Sequence, residues 1–167
     1  MTEAGFIKVG LSIEHGDDYM RNEVIKKTLD RKKIYEVAAM IKKFPMMVSG
    51  QFIMGFPEDT NETLQKTYDM IEELEFDESA VQQLIPLYGT PVYKQIMKDK
   101  DKLLIDSSNL NEKDLWKTPL GQGQSQFIVK PYNMSVDDLY KWRQKFDKLQ
   151  FKYWRQHMNK RDKGLAM

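Results

Sequence analysis

The sequence predicts an α/β protein built on parallel strands, and two observations carry that prediction. Apolar runs at residues 6–14, 46–54 and 79–87 are each followed by a segment whose apolar residues recur every three or four positions. The second run also empties through Gly55-Phe56-Pro57 into an acidic helix start, Glu58-Asp59-Thr60. Three strand–helix units in succession imply a parallel sheet with right-handed crossovers. In such sheets the loops beyond the carboxyl ends of the strands are where ligands bind. A third observation restricts the chemistry: the 167 residues include no cysteine. A disulfide framework, a thiolate zinc site and an iron–sulfur cluster held by this chain are therefore excluded.

Each element has a local cause. In residues 6–14, Phe6, Ile7, Val9, Leu11 and Ile13 are apolar while Gly10 and Ser12 are small, which suits a strand covered on both faces. His15-Gly16-Asp17-Asp18 interrupts it, and either aspartate can cap a short helix reaching Ile25. Asp30 then caps a second helix whose buried stripe is Ile34, Val37, Ala38 and Ile41. Lys42 and Lys43 complement its C-terminal dipole, and Pro45 stops it. After the strand at 46–54, Asp59 and Glu62 resemble a capping box, and Leu64, Tyr68, Ile71 and Leu74 form the inward face of the helix. The strand at 79–87 ends at Pro86, which donates no ladder bond. Tyr88-Gly89-Thr90 turns the chain into a short helix opened by Pro91. Residues 99–125 lose periodicity and read as an irregular excursion, with a short strand expected over 126–129. Ser135 and Asp138 then cap a final helix whose stripe is Leu139, Trp142, Phe146, Leu149 and Tyr153.

Composition suits one soluble domain: 41% of residues are hydrophobic and 31% charged, with a net charge of +1. No apolar run has the length of a membrane span and no basic-then-apolar leader opens the chain, so a cytoplasmic location is expected. Charge is uneven, since nine Lys and Arg between Lys141 and Lys163 face only Asp147 and Asp162. A solvated helix face and an anionic partner both fit that bias. Three strands cannot close a barrel, and an open parallel edge invites pairing with another chain. The chain therefore reads as an arc of a larger protein rather than a small complete α/β domain.

Three segments match one family pattern in order and spacing. Gly10-Leu11-Ser12-Ile13-Glu14-His15-Gly16 resembles the fourth-strand element of radical S-adenosylmethionine enzymes, with His15 where that pattern has Ser, and residues 19–27 resemble the helix that follows it. Gly50 to Thr60 resembles the fifth-strand Gly-Phe-Pro element, and Pro86-Leu87-Tyr88-Gly89-Thr90-Pro91 the element after the sixth strand. The blend is most similar to the subgroup associated with a cobalamin-binding domain. The resemblance covers residues 4–98 and leaves 99–167 as an irregular segment and a basic C-terminal helical extension.

This resemblance implies a partial (βα) barrel of which the chain supplies strands four to six. It also implies S-adenosylmethionine and a 4Fe–4S cluster in the intact parent, with cobalamin through the subgroup resemblance, and a parent that would form a 5′-deoxyadenosyl radical or transfer a methyl group. The family's three-cysteine cluster loop is absent from this sequence, so the chain alone is expected to be inactive. Its expected share is the ribose and adenine side of the cofactor site and part of the substrate cavity. By resemblance, Glu14 and His15 hold the nucleoside or methionine part, and Lys27 stands near the Arg that pairs with the cofactor carboxylate. Gly55 and Phe56 form the adenine rim, and Ile85, Pro86 and Leu87 offer main-chain groups and apolar cover.

The residues themselves leave plainer roles open. Glu14 can accept bonds from hydroxyl or ammonium groups but equally can be salt-bridged, His15 can be a structural hydrogen-bonding residue, and Lys27 can be solvated, as can Arg21 and Lys26 beside it. Gly55-Phe56 can be an ordinary tight turn, and Gln82 and Gln83 can face a lumen or an exposed edge. With only His15 and His157 as histidines, no metal site is expected. The expected partners are the missing N-terminal half of the barrel, encoded in the same or a separate chain, and a second copy through the open edge. The rival reading is a non-enzymatic interaction module whose basic helix binds a protein or RNA. There the aromatics Phe151, Tyr153 and Trp154 would stack on bases, although the 3–4 apolar spacing explains them as core or interface residues.

Overall fold

Three parallel strands, β1 (Lys8–Glu14), β2 (Met47–Met54) and β3 (Glu78–Gln83), lie in the order β1-β2-β3. This computed structural model describes residues 2–105 and 127–162. Most of the excursion expected over 99–125 lies outside the described residues. Ser12 pairs with Gln51, and Gln51 with Ala80, so one row of side chains crosses all three strands. Alternation then sorts the sheet into two unlike faces. One carries Val9, Leu11 and Ile13 of β1, Val48 and Phe52 of β2, and Val81 of β3, all in the main core. The other carries Lys8, Gly10 and Ser12, then Ser49 and Gln51, then Glu78 and Gln82.

The connections place their helices on the apolar face. Helix α1 (Arg31–Ile41) buries Ile34, Ala38 and Ile41, and α2 (Asn61–Leu74) buries Leu64, Met70, Ile71 and Leu74 in the same core. A short α3 (Pro91–Lys98) and a single turn α4 (Lys100–Leu103) follow β3. The long α5 (Val136–Asp162) then packs against β3 and α2, and its expected stripe of Leu139, Trp142, Phe146, Leu149 and Tyr153 is entirely buried. Two bonds lock it in place: Arg143 Nη1 donates to the Val81 carbonyl at 2.8 Å and Trp142 Nε1 to Asn61 Oδ1 at 2.7 Å.

Several expectations need correction. The first strand is not covered on both faces. Ile13 is its only fully buried residue, Gly10 and Ser12 are exposed, and Phe6 and Ile7 lie outside β1 in solvent. The cause is that β1 is the sheet's edge and its polar face meets no helix. β3 stops at Gln83 rather than Leu87, because the ladder ends where the Leu84 N–H donates to the Met54 carbonyl at 2.8 Å. The strand expected over 126–129 survives as one antiparallel bridge, Leu104 to Val129. Helix α2 is capped by Thr60, whose side chain accepts from the Thr63 N–H while Thr63 Oγ1 accepts in return, because Asp59 is committed elsewhere. Between β1 and α1 the chain makes a π-helical turn, Met20–Val24, and of the two candidate caps it is Asp17 that accepts the Met20 N–H, at 2.8 Å.

A second apolar cluster gathers around the carboxyl end of the sheet. It joins Met20, Phe56, Leu84, Ile96, Leu103, Leu104 and Val129. On the opposite side of the fold, α1 and α2 are joined by Tyr35, which donates to the Glu73 carboxylate, and by Arg31, whose Nη2 donates to the same carboxylate at 3.3 Å and to the Tyr35 oxygen at 3.0 Å. Burial first, and then the bond to Glu73, push the Tyr35 hydroxyl up to about 12. The unfolded chain ionises near the ordinary value of 10, so the contribution of Tyr35 to stability is complete below pH 10 and declines between about 10 and 12. Ultraviolet titration of the folded protein should therefore place the Tyr35 phenolate transition near pH 12, with Tyr132, through its bond to Asp99, and Tyr153, through burial, also held above the ordinary value. Tyr35→Phe should remove that transition and leave the others in place.

Candidate functional site

The carboxyl margin of the sheet brings together the ends of all three strands. The register shifts between Ser12 and Glu14, and Glu14 takes a left-handed backbone with φ of 72°. For a residue with a Cβ this conformation costs about 1–2 kcal/mol. Its half-buried side chain pairs with Lys27, Oε1 to Nζ at 3.0 Å. Lys27 itself sits between two further left-handed residues, Lys26 and Thr28, with φ of 61° and 49°.

This unusual loop is held by Arg21, whose side chain is fully buried. Its Nε donates to the Leu29 carbonyl at 2.8 Å, its Nη1 to the His15 carbonyl at 2.9 Å, and its Nη2 pairs with Asp18. Arg21 is thus an internal brace that fixes the position of Lys27, rather than a cation free to meet a ligand. Lys26 is exposed and pairs with Glu23 at 3.3 Å.

His15 and Asp59 form the second part of the site, both with completely buried side chains. His15 Nδ1 accepts the Asp17 N–H at 3.0 Å, so the ring proton is on Nε2, which donates to Asp59 Oδ1 at 2.9 Å. The other carboxylate oxygen, Oδ2, accepts the Gly55 N–H at 2.7 Å and the Phe56 N–H at 2.9 Å. Both imidazole nitrogens and both backbone donors of the Gly55-Phe56 loop are therefore spent within the protein. His15 is thereby bonded to Asp59, which links the end of β1 to the loop after β2.

Gly55 has φ of 95°, and a Cβ there would meet nothing closer than 3.9 Å, so glycine is needed for its backbone and leaves space above it. Phe56 is not an exposed wall; its ring is buried in the second apolar cluster. Beyond β3, Ile85 is half-buried, Pro86 buried and Leu87 exposed. The Leu87 carbonyl accepts the Thr90 hydroxyl at 2.6 Å as the turn enters α3. Gln82 is exposed on the uncovered polar face, where Ser12 and Gln51 also bond, Oγ to Oε1 at 3.2 Å.

Sequence reasoning missed two contributors. Asp59 suits a helix cap by sequence, yet its spacing three residues after Phe56 is what lets one carboxylate oxygen accept two consecutive loop amides. Asp17 braces the other side, with Lys66 Nζ 2.9 Å from its Oδ2. Burial pushes the Asp17 carboxyl up, but the Met20 N–H and the Lys66 ammonium outweigh it and hold it below the usual range. Among the described residues no group of three or more His, Cys, Asp or Glu is arranged to hold a metal ion, and no helix is long and apolar enough to cross a membrane.

No family model matches the chain. It is similar to tRNA-2-methylthio-N(6)-dimethylallyladenosine synthase from Francisella tularensis subsp. novicida (strain U112), at 29% identity over 126 residues, covering 68% of this chain and 28% of that protein. The proteins of the same name from subsp. tularensis (strain WY96-3418) and subsp. holarctica (strain FTNF002-00 / FTA) align with the same identity and coverage. The chain thus spans 28% of the length of these relatives.

Proposed function

We propose that this chain is part of a radical S-adenosylmethionine-type enzyme and supplies the side of the cofactor site that meets its ribose, adenine and amino-acid groups. One observation carries the reading: a Glu14–Lys27 pair, held at the end of β1 by a strained backbone and the buried Arg21 brace, lies at the same sheet margin as Gly55. A fixed carboxylate beside a fixed ammonium complements a zwitterionic amino-acid group, since the ligand's ammonium meets Glu14 and its carboxylate meets Lys27. Gly55 leaves room for a flat ring, and Ile85 adds an apolar wall. The relatives support the superfamily and do not extend to its cobalamin-associated subgroup.

The residues suit the nucleoside cofactor and not the cluster, because the sequence has no thiolate to ligate iron. When bound, S-adenosylmethionine supplies the group that is activated; the residues here bind and orient it. The cluster would come from the other half of the barrel. The free side of β1 supports such a partner: grooves of about 430 and 180 Å³ run between β1 and α1, the larger lined by Val9, Leu11, Val37, Met40, Phe44 and Met46. An adjoining strand and helix would fill them, and without that half a second copy would take its place.

Calorimetry on the 167-residue chain tests the reading. S-adenosylmethionine is expected to bind weakly or not at all, with light scattering showing self-association. Tight binding in the absence of any cluster, or a clean monomer at all concentrations, would contradict the half-site. Reading the DNA upstream of the Met1 codon supplies an independent check, since an in-frame three-cysteine loop there is the expected finding.

A further inference from the structure

The outer face of α5 carries two large aromatic side chains that the core does not use. The helix buries Leu139, Trp142, Phe146, Leu149 and Tyr153, but Phe151 is 57% exposed and Trp154 46% exposed. They are not scattered: their rings stack, with centroids 5.9 Å apart and planes within 28°. Of the core and interface roles that the apolar spacing offers these aromatics, Tyr153 takes the core, while Phe151 and Trp154 stand outside it.

The charges around this pair are mostly positive. Lys148, Lys152 and Arg155 are all exposed on the same stretch of helix. Lys152 lies 3.6 Å from Glu72 of α2, while Lys148 and Arg155 pair with no carboxylate among the described residues. The nearby Asp147 is already engaged by Arg143 at 3.0 Å. An apolar docking partner would match the rings but leave the cations facing it uncompensated. A polyanion whose own units are flat rings satisfies both.

We propose that this face of α5 binds an unpaired stretch of RNA, with bases stacked on Phe151 and Trp154 and phosphates against Lys148 and Arg155. Aromatic platforms set among cations are the general solution for single-stranded nucleic acid, because every base offers a π face and every nucleotide a charge. Backbone-only contacts would select neither strandedness nor an aromatic platform. The inference stands on α5 alone and does not depend on the cofactor site.

The test is fluorescence anisotropy with the full chain and a labelled single-stranded oligoribonucleotide of about a dozen nucleotides, titrated in roughly 50–200 mM salt. The unmodified chain is expected to bind it in preference to a duplex of the same length. Each aromatic-to-alanine change should weaken binding about 5- to 150-fold. The Phe151→Ala/Trp154→Ala double variant should lose most affinity while its circular dichroism is unchanged, since neither ring is in the core. Lys148→Ala/Arg155→Ala should lower the slope of log affinity against log salt by about 0.7 for each cation removed. Absence of binding at low salt, equal affinity for duplex, or unchanged affinity in the aromatic double variant would each overturn the proposal. Light scattering on that variant distinguishes the competing explanation: dissociation of an oligomer with RNA affinity intact would make this face a protein contact instead.

Discussion

Replacing Asp59 by alanine should destabilise the fold by about 3–5 kcal/mol. Its carboxylate has a side-chain exposure of 0% and receives four donors: Gly55 N, Phe56 N, His15 Nε2 and Thr63 Oγ1. Alanine would strand two buried backbone amides and an imidazole N–H in a region water does not reach, which is the costly direction of an asymmetric exchange. Asparagine should not rescue it fully. Its one oxygen can serve the Gly55 and Phe56 amides, but its NH₂ then faces the proton on His15 Nε2. Shifting that proton to Nδ1 only sets it against the Asp17 N–H, 3.0 Å away. For a chain of this size each kcal/mol lowers Tm by roughly 2–4 °C, so thermal denaturation resolves the effect easily. A Tm within a few degrees of the unmodified protein for Asp59→Ala would refute the network. The expected loss also links stability to the site, because the same carboxylate fixes the backbone of the loop after β2.

Gly16→Ala carries the second large effect, about 3 kcal/mol of destabilisation. A Cβ at Gly16 would lie 2.4 Å from Thr67 Cα and 2.5 Å from the Lys66 carbonyl oxygen. Both are backbone atoms of α2, so no rotamer change relieves the clash; the helix itself must retreat from the end of β1. That retreat would stretch the 3.0 Å bond from the Gly16 N–H to Thr67 Oγ1 and separate His15 from Asp59. Gly10→Ala is the internal control. A Cβ there meets only Gln51 Nε2 at 3.7 Å and Ser49 Oγ at 3.9 Å, which is ordinary contact. It should be neutral or slightly stabilising, since alanine reduces the freedom of the unfolded chain. Denaturant midpoints measured side by side decide the matter, and similar losses at both glycines would show that strand propensity, not the approach of α2, is responsible.

Much of the architecture was legible because it follows from periodicity. The strand–helix alternation, the buried stripes of α1 and α2, and the five core positions of α5 are each repeated several times along the chain, so single exceptions do not obscure them. Caps were less legible. Asp59, Thr60 and Glu62 all suit a helix start, and only the fold shows that the aspartate is diverted to the loop amides while Thr60 and Thr63 share the capping. The start of β1 and its cover on both faces were misread for one reason. An apolar composition says that a strand is able to be buried, not that a neighbour is present to bury it.

The candidate site divides along the same line. Its location, at a margin shared by Glu14 and Gly55, was implied by sequence, because ligand loops follow strand ends and a glycine is needed where φ is positive. Which side chains remain available there was decided by tertiary structure. His15, Arg21 and Phe56 look like ligand residues in one dimension, yet each is consumed: the imidazole by Asp59 and Asp17, the guanidinium by main-chain carbonyls, the phenyl ring by a second apolar cluster. Glu14 and Lys27 are left facing each other, and Phe151 and Trp154 are left facing solvent. The order of strands and helices is set by local pattern, which the chain carries within a few residues of each position. The availability of a polar or aromatic group is set by partners dozens of residues away, such as Asp59 for His15, and those meetings exist only once the chain has folded.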